Sequence, residues 1–288
     1  MDEEKEKYKL KLAAAFISEG KNLHAAQIYR KLIEEDGKED FYFQLAELYE
    51  DMGFVNAGKN ILNDLLQIKN NDDSIALFLG QFLLRNSKWF EAIEVLTPIS
   101  TSNPLTEFLI GYAYLMLNEF ELSKEYFTNY ISAEDSSELK QEANLYLAKV
   151  EFELHNYNSA LDYANKAKYL FSDFWELNLI LAKVYYNLNM FAHAVTPIQK
   201  ALKLNSKDSV VQEYAGKIYY QLQDYKKAEE FFAQCIELSS EVSAEIYTLL
   251  AKSFLKQMKS DEAKMFFDLA LRVDPTYEPA IAAKVKLN

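Results

Sequence analysis

A small residue recurs along this 288-residue chain at nearly constant spacing, and that recurrence restricts the fold more than any other feature. The hexamers LAAAFI, LAELYE, LGQFLL, IGYAYL, LAKVEF, LAKVYY, AGKIYY and LAKSFL carry Ala13, Ala46, Gly80, Gly111, Ala148, Ala182, Gly216 and Ala251 at their second place. The intervals between these anchors are 33, 34, 31, 37, 34, 34 and 35 residues. Twelve residues beyond each anchor stand Ala25, Gly58, Ala92, Ser123, Ala160, Ala194, Ala228 and Ala263, all small. Ala and Gly together make up 37 of the 288 residues, so eight small residues at one fixed offset are not an accident of composition.

Four residues further come Tyr29, Leu62, Leu96, Phe127, Ala164, Ile198, Phe232 and Phe267, and three further again Leu32, Leu65, Ile99, Tyr130, Ala167, Ala201, Cys235 and Ala270. Offsets of four and three trace one face of a helix. Each unit therefore reads as helix, short turn, helix, with the anchor and the small residue meeting where the two backbones approach. Trp89, Phe120, Tyr157, Phe191 and Tyr225 fall at the turns and are expected to plug that corner. Seven glycines and five prolines are too few to punctuate a sheet protein of this length, which fits an all-α chain.

A 34-residue helix–turn–helix period with these small and aromatic positions, and with Pro104 and Pro275 at unit ends, resembles the tetratricopeptide repeat family. The resemblance runs from about Lys5 to Pro275. It implies an all-α, right-handed superhelical solenoid of about eight repeats, forming one domain over residues 1–288. The repeats are expected near residues 5–38, 39–72, 73–103, 104–137, 138–174, 175–208, 209–243 and 244–275, with a capping helix over 276–288. Several positions depart from the pattern. Glu151 stands where sister units have Tyr185 and Tyr219, and Gly58 weakens the start of a second helix. Pro98 lies deep in a second helix, which should end or kink near Thr97; Pro197 lies nearer its helix start and should disturb less. The 37-residue interval adds about three residues around SAEDSSELK, the place expected to bend.

No catalytic constellation is visible. His24, His155 and His193 form no i, i+4 pair of the kind that ligates metal. Cys235 occupies a packing position, which reads as a buried, inert thiol. There is no phosphate-cradling glycine loop and no nucleophile elbow. The chain is therefore read as a non-enzyme without cofactor. A formal net charge of −13 argues against nucleic acid as the main partner. The start MDEEKEKYKL lacks the apolar run of a signal peptide, and no stretch is long and apolar enough for a membrane span. A cytoplasmic location is expected, an extracytoplasmic one requiring a leader trimmed from the sequence.

The resemblance implies that first helices line a concave groove that receives a segment of a partner protein. With about 100° per residue, offsets −3, +1 and +4 from the anchor fall on one stripe. In the last four units, offset +1 is Lys149, Lys183, Lys217 and Lys252, beside Phe152, Tyr186, Tyr220 and Leu255 at +4. In the third and fourth units the stripe reads Leu77, Gln81 and Leu84, then Phe108, Tyr112 and Leu115. The groove is thus expected to change from apolar to cationic along its length, with each lysine solvent-exposed. Residues 1–137 carry 13 Lys+Arg against 24 Asp+Glu, and residues 138–288 carry 18 against 20, which repeats that asymmetry. An alternative is that lysine merely tolerates an exposed helix site, its stem covering apolar neighbours. One subclass of the family grips a C-terminal carboxylate with a lysine and an asparagine on the first helix of the first unit; here those places hold Leu10 and Ala14. The reading is an interaction module for a partner segment with apolar and acidic residues. The alternative is a scaffold that self-associates with nothing in the groove.

Overall fold

The computed structural model describes residues 3–99, 103–133 and 139–287. Among them every regular element is helical. The chain divides into two compact units, Met1–Ser137 and Glu138–Asn288, and the division falls inside the SAEDSSELK insertion, of which residues 134–138 lie outside the described residues. The first unit pairs α1 (Glu3–Ser18) with α2 (Asn22–Asp36), α3 (Glu39–Asp51) with α4 (Val55–Ile68), α5 (Asp73–Arg85) with α6 (Trp89–Leu96), and α7 (Pro104–Met116) with α8 (Phe120–Ser132). The second pairs α9 (Lys140–Glu153) with α10 (Tyr157–Phe171), α11 (Trp175–Asn187) with α12 (Phe191–Leu204), α13 (Ser209–Gln221) with α14 (Tyr225–Leu238), and α15 (Ala244–Lys256) with α16 (Ser260–Val273). A final helix, α17 (Glu278–Val285), packs on α16 and α15, burying Ala280 and pairing Lys284 with Asp268.

The four positions that define the repeat are buried in all eight helix pairs. The small residue of the second helix meets the anchor's backbone. Ser123 Oγ donates to the Gly111 carbonyl at 2.8 Å, and a Cβ on Gly58 would lie 2.9 Å from the Ala46 carbonyl. The anchor itself faces the large residue sixteen places on. A Cβ on Gly111 would sit 3.1 Å from the Phe127 ring, and one on Gly80 would overlap Leu96.

The turn inside each pair follows one backbone rule that the sequence does not announce. Seven residues after every anchor the chain adopts a left-handed conformation, at Gly20, Gly53, Ser87, Asn118, His155, Asn189, Gln223 and Met258. The N–H of the next residue then reaches back five places, as Asp224 does to Tyr219 at 3.0 Å and Lys259 to Phe254 at 3.1 Å. This is the Schellman ending, which satisfies carbonyls left over at the helix C-terminus. Glycine adopts that conformation freely, whereas other L-residues are strained in it. Met258→Gly and Gln223→Gly are accordingly expected to stabilise the protein by about 0.5–1 kcal/mol each, while Asn118→Gly changes little. Thermal melts in which the two glycine variants unfold no later than the parent would refute this account of the turn.

Pro98 acts as its position predicts: α6 stops at Leu96 and a single 3-10 turn covers Thr97–Ile99. Pro197 sits within α12, which continues through it. Buried amides tie the loops between repeats to the next first helix. Asn178 Nδ2 donates to the carbonyls of Ser172 at 2.9 Å and Phe174 at 2.7 Å, and Gln212 Nε2 to Ser206 at 2.6 Å. Glu151, the departure from tyrosine, is buried at 3 % exposure and accepts from Asn156 Nδ2 at 2.8 Å.

Candidate functional site

In the second unit consecutive first helices touch one another, α9 to α11, α11 to α13 and α13 to α15. Among the described residues the backbones of the consecutive second helices α10, α12, α14 and α16 do not approach one another in this way. Stacked hairpins whose first helices lie closer together than their second helices curve toward the first-helix side, so that side of the unit is the hollow one. All four predicted lysines and their aromatic neighbours lie on these first helices.

The lysines do not form a uniform exposed ladder: of the four expected to be exposed, only Lys149 is, and the middle two depart furthest. Lys217 retains 10 % side-chain exposure, and its Nζ stands 2.6 Å from Glu213 and 3.3 Å from Glu245. Burial pushes its pKa down, but the Glu213 hydrogen bond and the charges of Glu213 and Glu245 outweigh burial and leave it above the ordinary lysine value. Lys183 keeps 19 % side-chain exposure in a slot between two rings, 4.3 Å from the Phe152 centroid and 5.4 Å from that of Tyr214, with Glu153 3.9 Å away. Burial lowers its pKa. Besides Glu213 on the same helix, a neighbouring repeat contributes to each departure. Tyr214 comes from α13 to cover Lys183, and Glu245 comes from α15 to reach Lys217. Lys149 is exposed and Lys252 half-buried, and neither pairs with a carboxylate among the described residues.

Phe152, Tyr186 and Tyr220 are half-buried, each with one ring against the turn aromatic of its own repeat: Tyr157 at 5.6 Å, Phe191 at 5.6 Å and Tyr225 at 5.5 Å. The aromatics expected to plug the corner thus buttress the groove residues. Tyr214 joins them edge-on to Tyr186 at 5.9 Å, and burial pushes its phenol up to about 12. Tyr214 was absent from the sequence-based stripe although it lies three residues before Lys217, one helical step on the same face. The pairing of Glu213 with Lys217 was also legible, being an i, i+4 couple with the acid first.

The first unit corrects a second expectation. Leu84, Phe108 and Leu115 are 6 %, 8 % and 2 % exposed, so they belong to the protein's own core and not to an open apolar stripe. Phe108, for example, packs edge-on against Phe127 at 5.5 Å and Tyr130 at 5.4 Å. Leu77, Gln81 and Tyr112 remain half-buried. Cys235 is buried, and burial pushes its thiol up, away from the thiolate a nucleophile needs. No described helix is long and apolar enough to cross a membrane.

Residues 215–241 and 244–277 match the tetratricopeptide repeat family. The same fold extends over the rest of the chain: it covers 92 % of this chain against a chain of the APC/C hetero-tetramer Cut9–Hcn1, at 20 % identity and a TM-score of 0.62. A tetratricopeptide repeat protein from Parabacteroides merdae is similar over 90 % of this chain and 98 % of its own, at 18 % identity and a TM-score of 0.58. YrrB, described as a tetratricopeptide repeat protein with an unusual peptide-binding site, is similar over 68 % of this chain and 97 % of its own, at 19 % identity and a TM-score of 0.55. Residues 215–241 and 244–277 thus carry the tetratricopeptide repeat signature, and the chain as a whole has the fold of tetratricopeptide repeat proteins. It spans about half, 52 %, of the Cut9–Hcn1 chain. No curated protein matches it.

Proposed function

We propose that this chain is a protein–protein interaction module, which holds a segment of a partner along the first-helix face of its second unit. The observation that carries the reading is the row of half-buried aromatics, Phe152, Tyr186 and Tyr220, standing beside lysines on consecutive first helices. Such rings bury large apolar area at little entropic cost, so they supply affinity. Lys149 and Lys252, which pair with no carboxylate among the described residues, supply orientation and on-rate toward acidic residues of the segment. Binding without catalysis or cofactor is the mechanism. The peptide-binding site named for YrrB supports the reading by analogy of fold alone.

The test uses a partner identified by capture and mass spectrometry, then purified. Lys149→Glu with Lys252→Glu should weaken its binding at least tenfold at low salt, and the loss should shrink toward 0.5 M salt as charges are screened. Tyr186→Ala with Tyr220→Ala should weaken it at every salt concentration. Lys183 and Lys217 are unsuitable for this test because they also hold the fold. Unchanged binding in both double variants would move the function off this face.

Self-association is the second reading, and one observation favours it. Leu12, one place before its anchor, is 37 % exposed, whereas the same place in the other seven repeats is buried, and nearby Tyr8 is 68 % exposed. Sedimentation over a range of concentrations separates the readings, since a scaffold of this kind stays oligomeric on dilution.

A further inference from the structure

On the second-helix side of the second unit, away from the groove, a cleft of about 190 Å³ opens between α10 and α12. The backbones of these two helices stay apart, and α11 lies beneath and contacts both. The floor is Asn178, Leu181 and Tyr185 from α11 with the buried Pro197, the Asn178 amide nitrogen being held by the Ser172 and Phe174 carbonyls, and the walls are Asn165 and Lys168 from α10 and His193, Thr196 and Lys200 from α12. Every ionisable wall residue is a base. The nearest carboxylate to Lys200 is Asp173, 4.0 Å away and 89 % exposed, too far and too wet to neutralise it.

Two comparisons set this cleft apart from generic repeat geometry. The first is positional. At the next repeat boundary the places of Lys168, Thr196 and Lys200 hold Leu202, Glu230 and Gln234, and at the one after that Ile236, Met265 and Leu269. The second is electrostatic. Residues 164–207 contain six lysines against Asp173 and Glu176, a local excess of positive charge in a chain whose net charge is −13. Two ammonium groups from separate helices, joined by an amide and a hydroxyl, match a dianion with several acceptor oxygens. The volume lies below the roughly 300–1,000 Å³ of sites that enclose drug-sized ligands, which limits the occupant to one small group.

We infer that the α10–α12 cleft is an anion site that takes a single phosphate group, with Lys168 and Lys200 as its charged donors and Asn165 and Thr196 as its neutral ones. Free phosphate and the phosphorylated side chain of a protein share that chemistry. The site is independent of the groove reading, since it lies on the opposite side of the helix layer.

The experiment is a titration of the full chain, followed by ¹⁵N–¹H and histidine side-chain NMR, with inorganic phosphate in one arm and, in the other, an end-capped tetrapeptide whose one charged residue is phosphoserine. Saturable shifts centred on His193 and Thr196 are expected in at least one arm, and the arm with the tighter curve identifies the source. Lys168→Gln and Lys200→Gln should each weaken binding at least tenfold, and the double variant should abolish it with an unchanged thermal melt, because both residues are exposed. Lys203→Gln, an exposed lysine of α12 outside the cleft, should weaken binding less than twofold. No saturable shift in either arm overturns the site. So does binding that survives in the double variant, or that Lys203→Gln weakens as much as Lys200→Gln does, since either result describes diffuse attraction to a basic surface.

Discussion

Lys217→Met is expected to destabilise the protein by about 2–3 kcal/mol, below the range for breaking a fully buried ion pair because Glu245 is half exposed. The substitution keeps the length and apolar stem of the side chain. It strands Glu213 and Glu245 beside each other on the α13–α15 seam, where Lys217 now holds them at 2.6 and 3.3 Å. Urea unfolding monitored by circular dichroism measures the loss, and a midpoint within error of the parent's would show that Lys217 is only a solvated side chain. The same contact predicts an alkaline limit. The folded-state pKa of Lys217 is raised, so its stabilising contribution is complete below the unfolded value of about 10.4 and is lost as pH climbs through the folded value. Tyr214, pushed up to about 12 from an unfolded value near 10, acts in the same direction. The parent should lose stability from about pH 10 to 12, and Lys217→Met should lose less over that interval.

Gly216→Ala is the second large effect, about 1–3 kcal/mol of destabilisation from a single methyl group. Its Cβ would lie 2.6 Å from two carbons of the Phe232 ring, a distance real contacts do not reach, and Phe232 is fully buried with no solvent to retreat into. Leucine at 216 should cost more than alanine. Phe232→Leu in the Gly216→Ala background should cost less than the sum of the two single changes, because the smaller side chain vacates the space the methyl needs. A melt of Gly216→Ala indistinguishable from the parent's would mean that α13 and α14 do not approach as described.

The two results bear on how far a sequence of this kind can be read. The repeat, its two helices, its capping helix and the break at Pro98 were legible because each follows from short-range geometry. A small residue every 34 places, apolar residues three and four apart, and a proline without a donor all act within one helix or one hairpin. Even there the left-handed turn position escaped notice, since Ser87, Asn118, His155, Asn189, Gln223 and Met258 share no chemical property that marks it.

The candidate site was legible only as a face. Helical periodicity puts Lys149, Lys183, Lys217 and Lys252 at equivalent places, and the one local rule that separates them is the i, i+4 pair of Lys217 with Glu213. The remaining distinctions come from the next repeat. Tyr214 closes over Lys183 from 31 residues away, Glu245 reaches Lys217 across 28, and Lys149 and Lys252 receive no such partner among the described residues. The stripe Leu84, Phe108 and Leu115 likewise looked open on a helical projection and is buried by packing between helices. The cleft between α10 and α12 exists only because two second helices with separated backbones hold their lysines over a shared floor. Sequence by itself determined the fold unit and which side of each helix carries charge. Tertiary structure decided which charges hold neighbouring repeats together and which stay exposed, because burial and pairing at this range depend on the separation of helices and not on the order of residues within one.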